Sequence, residues 1–97
     1  MHIKCLQTQL KEIMKTDRPV FLLGDINFDL LCPTKRGVKK YISMLDVWGL
    51  KQVVKDPTRS GSLLDHVVVR ATTSVTNVRV VTFADSDHDV VIAEIEL

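Results

Sequence analysis

The chain has 97 residues, of which 45% are hydrophobic and 26% are charged, and its 13 basic and 12 acidic side chains leave a net charge of +1. This composition excludes a disordered, collagen-like or coiled-coil chain, and the length predicts a single globular domain, residues 1–97, with a modest core. The longest apolar runs are four residues, far short of the roughly 20 needed to cross a bilayer, so no membrane association is predicted.

Apolar residues recur at helical spacing over the first sixteen positions, which predicts an amphipathic helix. Pro19 should end it, because a proline disfavours helical geometry in the residue before it. The run Val20 to Leu23 is apolar throughout and predicts a strand that is buried on both faces and ends at Gly24-Asp25. The segment from Ile26 to Arg36 has no clear period and is interpreted as a loop.

A second helix is predicted from near residues 34–37 to Gly49, which suits the position just past a helix end. Its apolar face would comprise Val38, Tyr41, Ile42, Leu45 and Trp48. A short edge strand over Leu50–Val54 and three longer strands follow, at Leu63–Arg70, Ser74 or Val75 to Phe83, and Val90–Leu97. We therefore predict an α/β (α+β) fold with one mixed sheet of four to five strands and two helices on one face.

The charges are unevenly divided along the chain. Residues 1–61 carry 11 basic and 6 acidic side chains, whereas residues 62–97 carry 2 basic and 6 acidic ones. This division predicts a localised basic surface beside an acidic site. Cys5 and Cys32 stand alone, without a Cys-x-x-Cys pair, which favours a reducing and therefore intracellular compartment, cytoplasm or nucleus.

Three short polar clusters stand where a predicted strand meets a loop: Gly24-Asp25-Ile26-Asn27, Leu64-Asp65-His66 and Ser86-Asp87-His88. Singly, each has an ordinary explanation as turn chemistry, a loop cap or a solvated Asp-rich turn. Asp65, however, alternates with apolar residues of its strand and so belongs to the inward-facing set, where a carboxylate needs a donor or a cation. His88 is the candidate donor.

Together these residue types suit one reaction. Asp25 and Asp87 offer hard oxygen ligands for a cation, or a carboxylate that accepts a proton from an attacking water. The amide of Asn27 can donate to a phosphate oxygen, and His88 held by Asp65 keeps one ring nitrogen for a phosphate or a water. Hydrolysis of a phosphodiester needs these parts.

In this order, and with Asp56-Pro57-Thr58-Arg59 before Leu64-Asp65-His66, the clusters resemble the endonuclease/exonuclease/phosphatase superfamily with the DNase-I-like fold. The endonuclease domains of non-LTR retrotransposons and their reverse-transcriptase polyproteins look most similar. The resemblance implies that the chain corresponds to a C-terminal portion, half of a four-layer α/β sandwich. It further implies hydrolysis of nucleic-acid phosphodiester bonds, with DNA as a possible partner.

The resemblance also implies a role for each matched residue. Asp25 would position or deprotonate the attacking water, and Asn27 would bind the scissile phosphate. Asp65 would orient His88, which would contact the phosphate, and Asp87 together with Asp25 would hold Mg²⁺ or Mn²⁺.

The sequence departs from the family at one important point. The first half of family members supplies the Glu that is the principal metal ligand, and none of Glu12, Glu94 and Glu96 replaces it. We therefore expect metal binding to be weak or absent in the isolated chain. An open inner sheet face would need cover from a second copy in a homodimer or from a partner chain.

Other functions stay open at this point. One alternative is a truncated endonuclease-like enzyme, which could require an assembled dimer for its activity. The other is a catalytically inactive association module derived from a retroelement endonuclease. A small-molecule phosphatase is less consistent, because no long substrate loop separates the motifs. The basic cluster Lys35, Arg36, Lys39 and Lys40 forms a solvated helix face, as charge runs usually do, or contacts phosphate. His66 is interpreted as a surface or edge histidine.

Overall fold

The computed structural model describes residues 3–25, 28–32, 36–59, 61–82 and 89–96. These residues form two helices and five strands: α1 (Ile3–Ile13), β1 (Phe21–Asp25), α2 (Arg36–Val47), β2 (Leu50–Gln52), β3 (Asp65–Arg70), β4 (Ser74–Val81) and β5 (Val90–Glu96). The predicted α/β class with two helices is confirmed. No helix within the described ranges has the length and apolar character needed to span a membrane.

The first sheet has the strand order β1-β3-β2, and both pairs are antiparallel. Both helices pack on one face of this sheet, as predicted. The buried residues of that layer are Leu6 and Leu10 of α1, Tyr41, Met44 and Leu45 of α2, and Leu50 and Val68 of the sheet. Ile42 of the predicted apolar helix face is instead largely exposed.

The strands β4 and β5 form a separate antiparallel pair. They lie against the other face of the first sheet, where Val67 and Val69 pack among apolar residues of β4 and β5. The prediction of one mixed sheet is therefore corrected: the strands form two antiparallel sheets that face each other. Because β4 and β5 cover it, the inner face of β3 is not open as expected.

The strand β1 differs from its prediction. The apolar run predicts a strand buried on both faces, but in the part of the chain that the structure describes it is an edge strand that pairs with β3. Phe21 is 42% exposed and Leu23 is 65% exposed, because the two-stranded sheet does not extend over them, whereas Leu22 packs against the helices. Among the described residues, the open part of the inner face therefore lies on the β1 side.

The chain has a distinct feature after the C-terminal end of each helix. Gly49 has a φ of 66°, a left-handed conformation that glycine adopts without strain, and it directly follows the last turn of α2 as predicted. Beyond the end of α1, the guanidinium of Arg70 donates hydrogen bonds to the carbonyls of Thr16 and Arg18. This contact joins β3 to the segment that leads into β1.

Candidate active site

Asp25 and Asp65 occupy directly opposite positions at one end of β1 and β3. Directly opposite residues of an antiparallel pair point to the same face, with Cβ atoms about 4.5–5.5 Å apart. That face is the one that carries Val67 and Val69, so it is the face turned towards β4 and β5. The first two polar clusters of the sequence therefore meet, and Asp65 belongs to the inward-facing set as predicted.

The backbone conformation at position 24 explains why the first cluster begins with a glycine. Its φ is 140°, in a region that residues with a Cβ rarely adopt, and the space around its Cα is open. A side chain at this position would therefore strain the backbone without striking a neighbour. The conformation sets the direction of the chain immediately before Asp25.

A cleft of about 400 Å³ lies between the two sheets beside these carboxylates. Its lining includes Asp65 and Val67 from β3, Phe21 and Leu23 from β1, and Asp89 ahead of β5. This volume is within the range of small-ligand sites. Most of the lining is apolar, and it includes the carboxylates of Asp65 and Asp89.

Thr58 joins three parts of this site and was not singled out from the sequence. It is fully buried, and its Oγ1 accepts hydrogen bonds from the N–H groups of Leu64, at 3.1 Å, and Asp65, at 3.0 Å. The N–H of Asp89 donates to the Thr58 carbonyl at 2.9 Å. Thr58 thus fixes the start of β3 relative to the residue before β5.

Asp29 holds the segment that follows β1. Its Oδ1 accepts from the N–H of Leu63 at 2.9 Å and from the N–H of Leu31 at 3.0 Å. The hydrogen bond from Leu63 is the main reason that the pKa of Asp29 is below its ordinary value of 3.8, and that from Leu31 acts in the same direction. Asp29 is therefore a structural carboxylate that ties residues 28–32 to the entrance of β3.

His66 is buried, which corrects its interpretation as a surface histidine. It does point away from Asp65, but that side of β3 faces the helices, where its Nδ1 lies 2.9 Å from Oη of Tyr41. Its Nε2 lies 3.2 Å from the carbonyl oxygen of Leu63. Burial lowers the pKa of His66 below 6.5, and burial also raises the pKa of Tyr41.

The remaining predicted site residues divide into two groups. Asn27, Asp87, His88 and Lys35 lie outside the described residues, as does the side chain of Arg36. Lys39 and Lys40 are exposed on α2, which lies in the helix layer on the far side of the first sheet from the cleft. This placement fits a solvated helix face.

The two opposite carboxylates are the right chemistry for a hard divalent cation, which prefers oxygen ligands. Asp25 is one of the two residues that the resemblance implies as ligands, and Asp87 is the other. In the part of the chain that the structure describes, no group of three or more His, Cys, Asp or Glu side chains could hold a metal ion. The two carboxylates of the described residues fall short of such a group.

Comparison with known proteins adds a family. The sequence model of the Endonuclease/Exonuclease/phosphatase family matches residues 5–88, which is most of the chain. The matched stretch includes all three polar clusters. No curated protein and no solved structure gives a significant match.

Proposed function

The chain belongs to the endonuclease/exonuclease/phosphatase family, and on that premise we propose that it hydrolyses phosphodiester bonds of nucleic acids with the help of Mg²⁺ or Mn²⁺ that the isolated chain binds only weakly. The observation that carries this proposal is the pairing of Asp25 with Asp65, which lines the cleft. Residues 40 positions apart in the sequence come to one end of the sheet with their carboxylates on the same face. Such a site suits a cation and the phosphate that it binds.

In the proposed reaction, the oxygen of a water molecule forms a bond to phosphorus while the bond to the leaving sugar oxygen breaks. Asp25 accepts the proton of the water, and the leaving oxygen takes a proton from solvent. A cation held by Asp25 and Asp87 would supply charge neutralisation at the phosphate. Asp65 would orient His88 towards the phosphate, and Asn27 would donate to a phosphate oxygen. The roles of Asn27, Asp87 and His88 rest on the resemblance.

Conversion of supercoiled plasmid to nicked circles in Mg²⁺ or Mn²⁺ tests the proposal. We expect Asp25→Asn and His88→Ala to lower the nicking rate by about 100-fold or more, the scale of losing a positioned proton acceptor. Asp17→Asn is the matched control, because Asp17 is an exposed carboxylate just past α1, and it should leave the rate unchanged. Nicking that survives both site substitutions, or no nicking by the parent protein, contradicts the proposal.

A second candidate function, association with another copy of the chain, is favoured by the exposed edge of β1. Phe21 and Leu23 are exposed there, and no charged side chain interrupts Val20 to Leu23, although charges are a usual protection of edge strands. With Leu22 on a two-fold axis, antiparallel pairing of two β1 strands would place Phe21 of one copy opposite Leu23 of the other. Such apolar cross-strand pairs stabilise a sheet.

Sedimentation velocity at micromolar concentration tests this association. We expect a dimer for the parent protein and a monomer for Leu23→Lys, with Val47→Lys as the control because Val47 is exposed on α2. A monomeric parent, or a dimer that persists in Leu23→Lys, contradicts pairing along β1. If the dimer is also the active form, the specific nicking rate rises with protein concentration. If the dimer forms but no nicking occurs, the chain is an association module.

The proposal includes a retroelement origin, as the C-terminal portion of an endonuclease similar to those of non-LTR retrotransposons. The order of the three polar clusters supports it. An intracellular location, cytoplasm or nucleus, is also part of the proposal. It is supported by the free thiol of Cys32, which is typical of proteins in reducing compartments.

A further inference from the structure

Behind the carboxylates, on the helix side of the first sheet, lies a buried polar pair that the proposed chemistry does not use. Tyr41 of α2 is 0% exposed and His66 of β3 is 1% exposed. Two apolar residues of the same shape would fill this space without any polar group to satisfy. The pair therefore needs an explanation beyond filling the core.

The hydrogen-bond directions of the pair follow from its partners. A carbonyl oxygen only accepts, so Nε2 of His66 carries the proton and donates to Leu63. The other nitrogen, Nδ1, is then an acceptor, and the hydroxyl of Tyr41 donates to it. Among the described residues, no buried side-chain polar atom lacks a partner. The result is a directed chain from α2 through β3 to the backbone of Leu63.

Leu63 connects the segment that follows β1 to the start of β3. Its carbonyl accepts from the N–H of Leu30, at 3.2 Å, in addition to His66, and its own N–H donates to Asp29 at 2.9 Å. Both backbone groups of Leu63 are thus engaged by residues 29–30 and by His66. The ring of Phe28 also stacks on Tyr41, with centroids 5.2 Å apart.

These contacts lie close in sequence to the proposed catalytic groups. Phe28 to Leu30 come directly after the Gly24–Asn27 cluster, and Leu63 precedes Asp65 by two residues. We propose that Tyr41 and His66 are positioning residues that hold the segment after Asp25 and the start of β3 in a single arrangement through Leu63. The claim that the pair supports catalysis rests on the proposed function. The claim that the pair holds the two segments rests on the contacts alone.

Two variants separate positioning from simple core packing. Tyr41→Phe removes one oxygen atom and keeps the ring, and the double variant Tyr41→Phe/His66→Phe removes both polar groups while keeping two buried rings. Leu10→Ala is the control, because Leu10 is equally buried in the same helix layer but its apolar side chain forms no hydrogen bond with Tyr41 or His66. Urea denaturation first gives the stability of each variant. All three variants are then compared with the parent protein under conditions in which the same fraction of each protein is folded.

Amide hydrogen exchange is the first readout. We expect the amides of Leu30 and Leu63 to exchange at least severalfold faster in the double variant, relative to the amides of β4 and β5, with a smaller rise in Tyr41→Phe. Leu10→Ala should raise exchange without this selectivity. Equal acceleration across the described strands in the double variant would overturn the inference.

Binding of Mn²⁺ is the second readout, and it is measured from the broadening of the Asp25 and Asp65 amide signals. We expect severalfold weaker binding in the double variant and unchanged binding in Leu10→Ala, which a purely structural role would not produce. Equal affinity of parent and double variant overturns the positioning role. If the parent itself does not bind Mn²⁺, the proposed function fails, and the exchange of Leu30 and Leu63 alone decides whether the pair holds the two segments.

Discussion

Asp25 and Asp65 are directly opposite each other on the antiparallel strands β1 and β3, with their side chains on the face turned towards β4 and β5. Like charges at opposite positions repel, so this arrangement weakens the sheet unless other groups compensate. The proposed cation would offset this repulsion if it binds at these two carboxylates.

The first prediction concerns Gly24. Gly24→Ala should lower the free energy of unfolding by about 1–3 kcal/mol, because alanine is strained at a φ of 140° and gains no contact in the open space around it. Urea denaturation measures the change. Thr72→Ala in the exposed turn between β3 and β4 is the control, with an expected change below about 0.5 kcal/mol. A neutral Gly24→Ala would contradict the requirement for glycine at this position.

The second prediction concerns Thr58. Thr58→Val keeps the shape of the side chain but removes the acceptor for the N–H groups of Leu64 and Asp65. We expect a loss of about 1–3 kcal/mol, since at least one of these donors is left without a partner. Thr58→Ser retains the hydroxyl and should lose less. Equal stability of the Val and Ser variants would show that the hydroxyl does not hold β3.

The third prediction is a dependence of stability on pH. Burial holds the pKa of His66 in the folded protein below the ordinary value of 6.5. As the pH falls below 6.5, the unfolded state takes up a proton that the folded state does not, so stability falls until the folded pKa is reached. Above 6.5 the full stability is present. Asp29 adds a further loss in the same direction below 3.8, because its folded pKa is also lowered.

Urea denaturation at about pH 7.5 and about pH 5.5, on either side of the ordinary histidine pKa, measures the effect of His66. The parent should be less stable at the lower pH, and Tyr41→Phe/His66→Phe should lose a smaller part of its stability. The other histidines, His2 and His88, are present in both proteins, so the difference isolates His66. An identical loss in both proteins contradicts the burial of a neutral His66.

Much of the fold follows from periodicity in the sequence. The helical repeat that ends before Gly49, and the alternation of Asp65 with Val67 and Val69, predicted α2 and the inward direction of Asp65. Both are local patterns, in which the period of the element determines which side chains share a face. The order of the three clusters along the chain was also sufficient to identify the family.

The rest depends on contacts between distant residues. Alternation in β4 and β5 predicts strands but not which sheet they join, so the two-sheet arrangement was missed. His66 follows an Asp in a strand, and its burial depends on Tyr41, which lies 25 residues away. The exposure of β1 depends on how far β4 and β5 extend over it, a matter of tertiary packing that no local pattern records.

The most direct test of a cation site at Asp25 and Asp65 is titration of the ¹⁵N-labelled protein with Mn²⁺. Binding is detected as paramagnetic broadening of backbone amide signals. If Asp25 and Asp65 belong to one cation site, their two amides broaden together at the lowest Mn²⁺ concentrations, and Asp25→Asn abolishes the broadening at both. Signals of α1 should stay sharp. Broadening that begins elsewhere, or that persists at Asp65 in Asp25→Asn, would contradict the account.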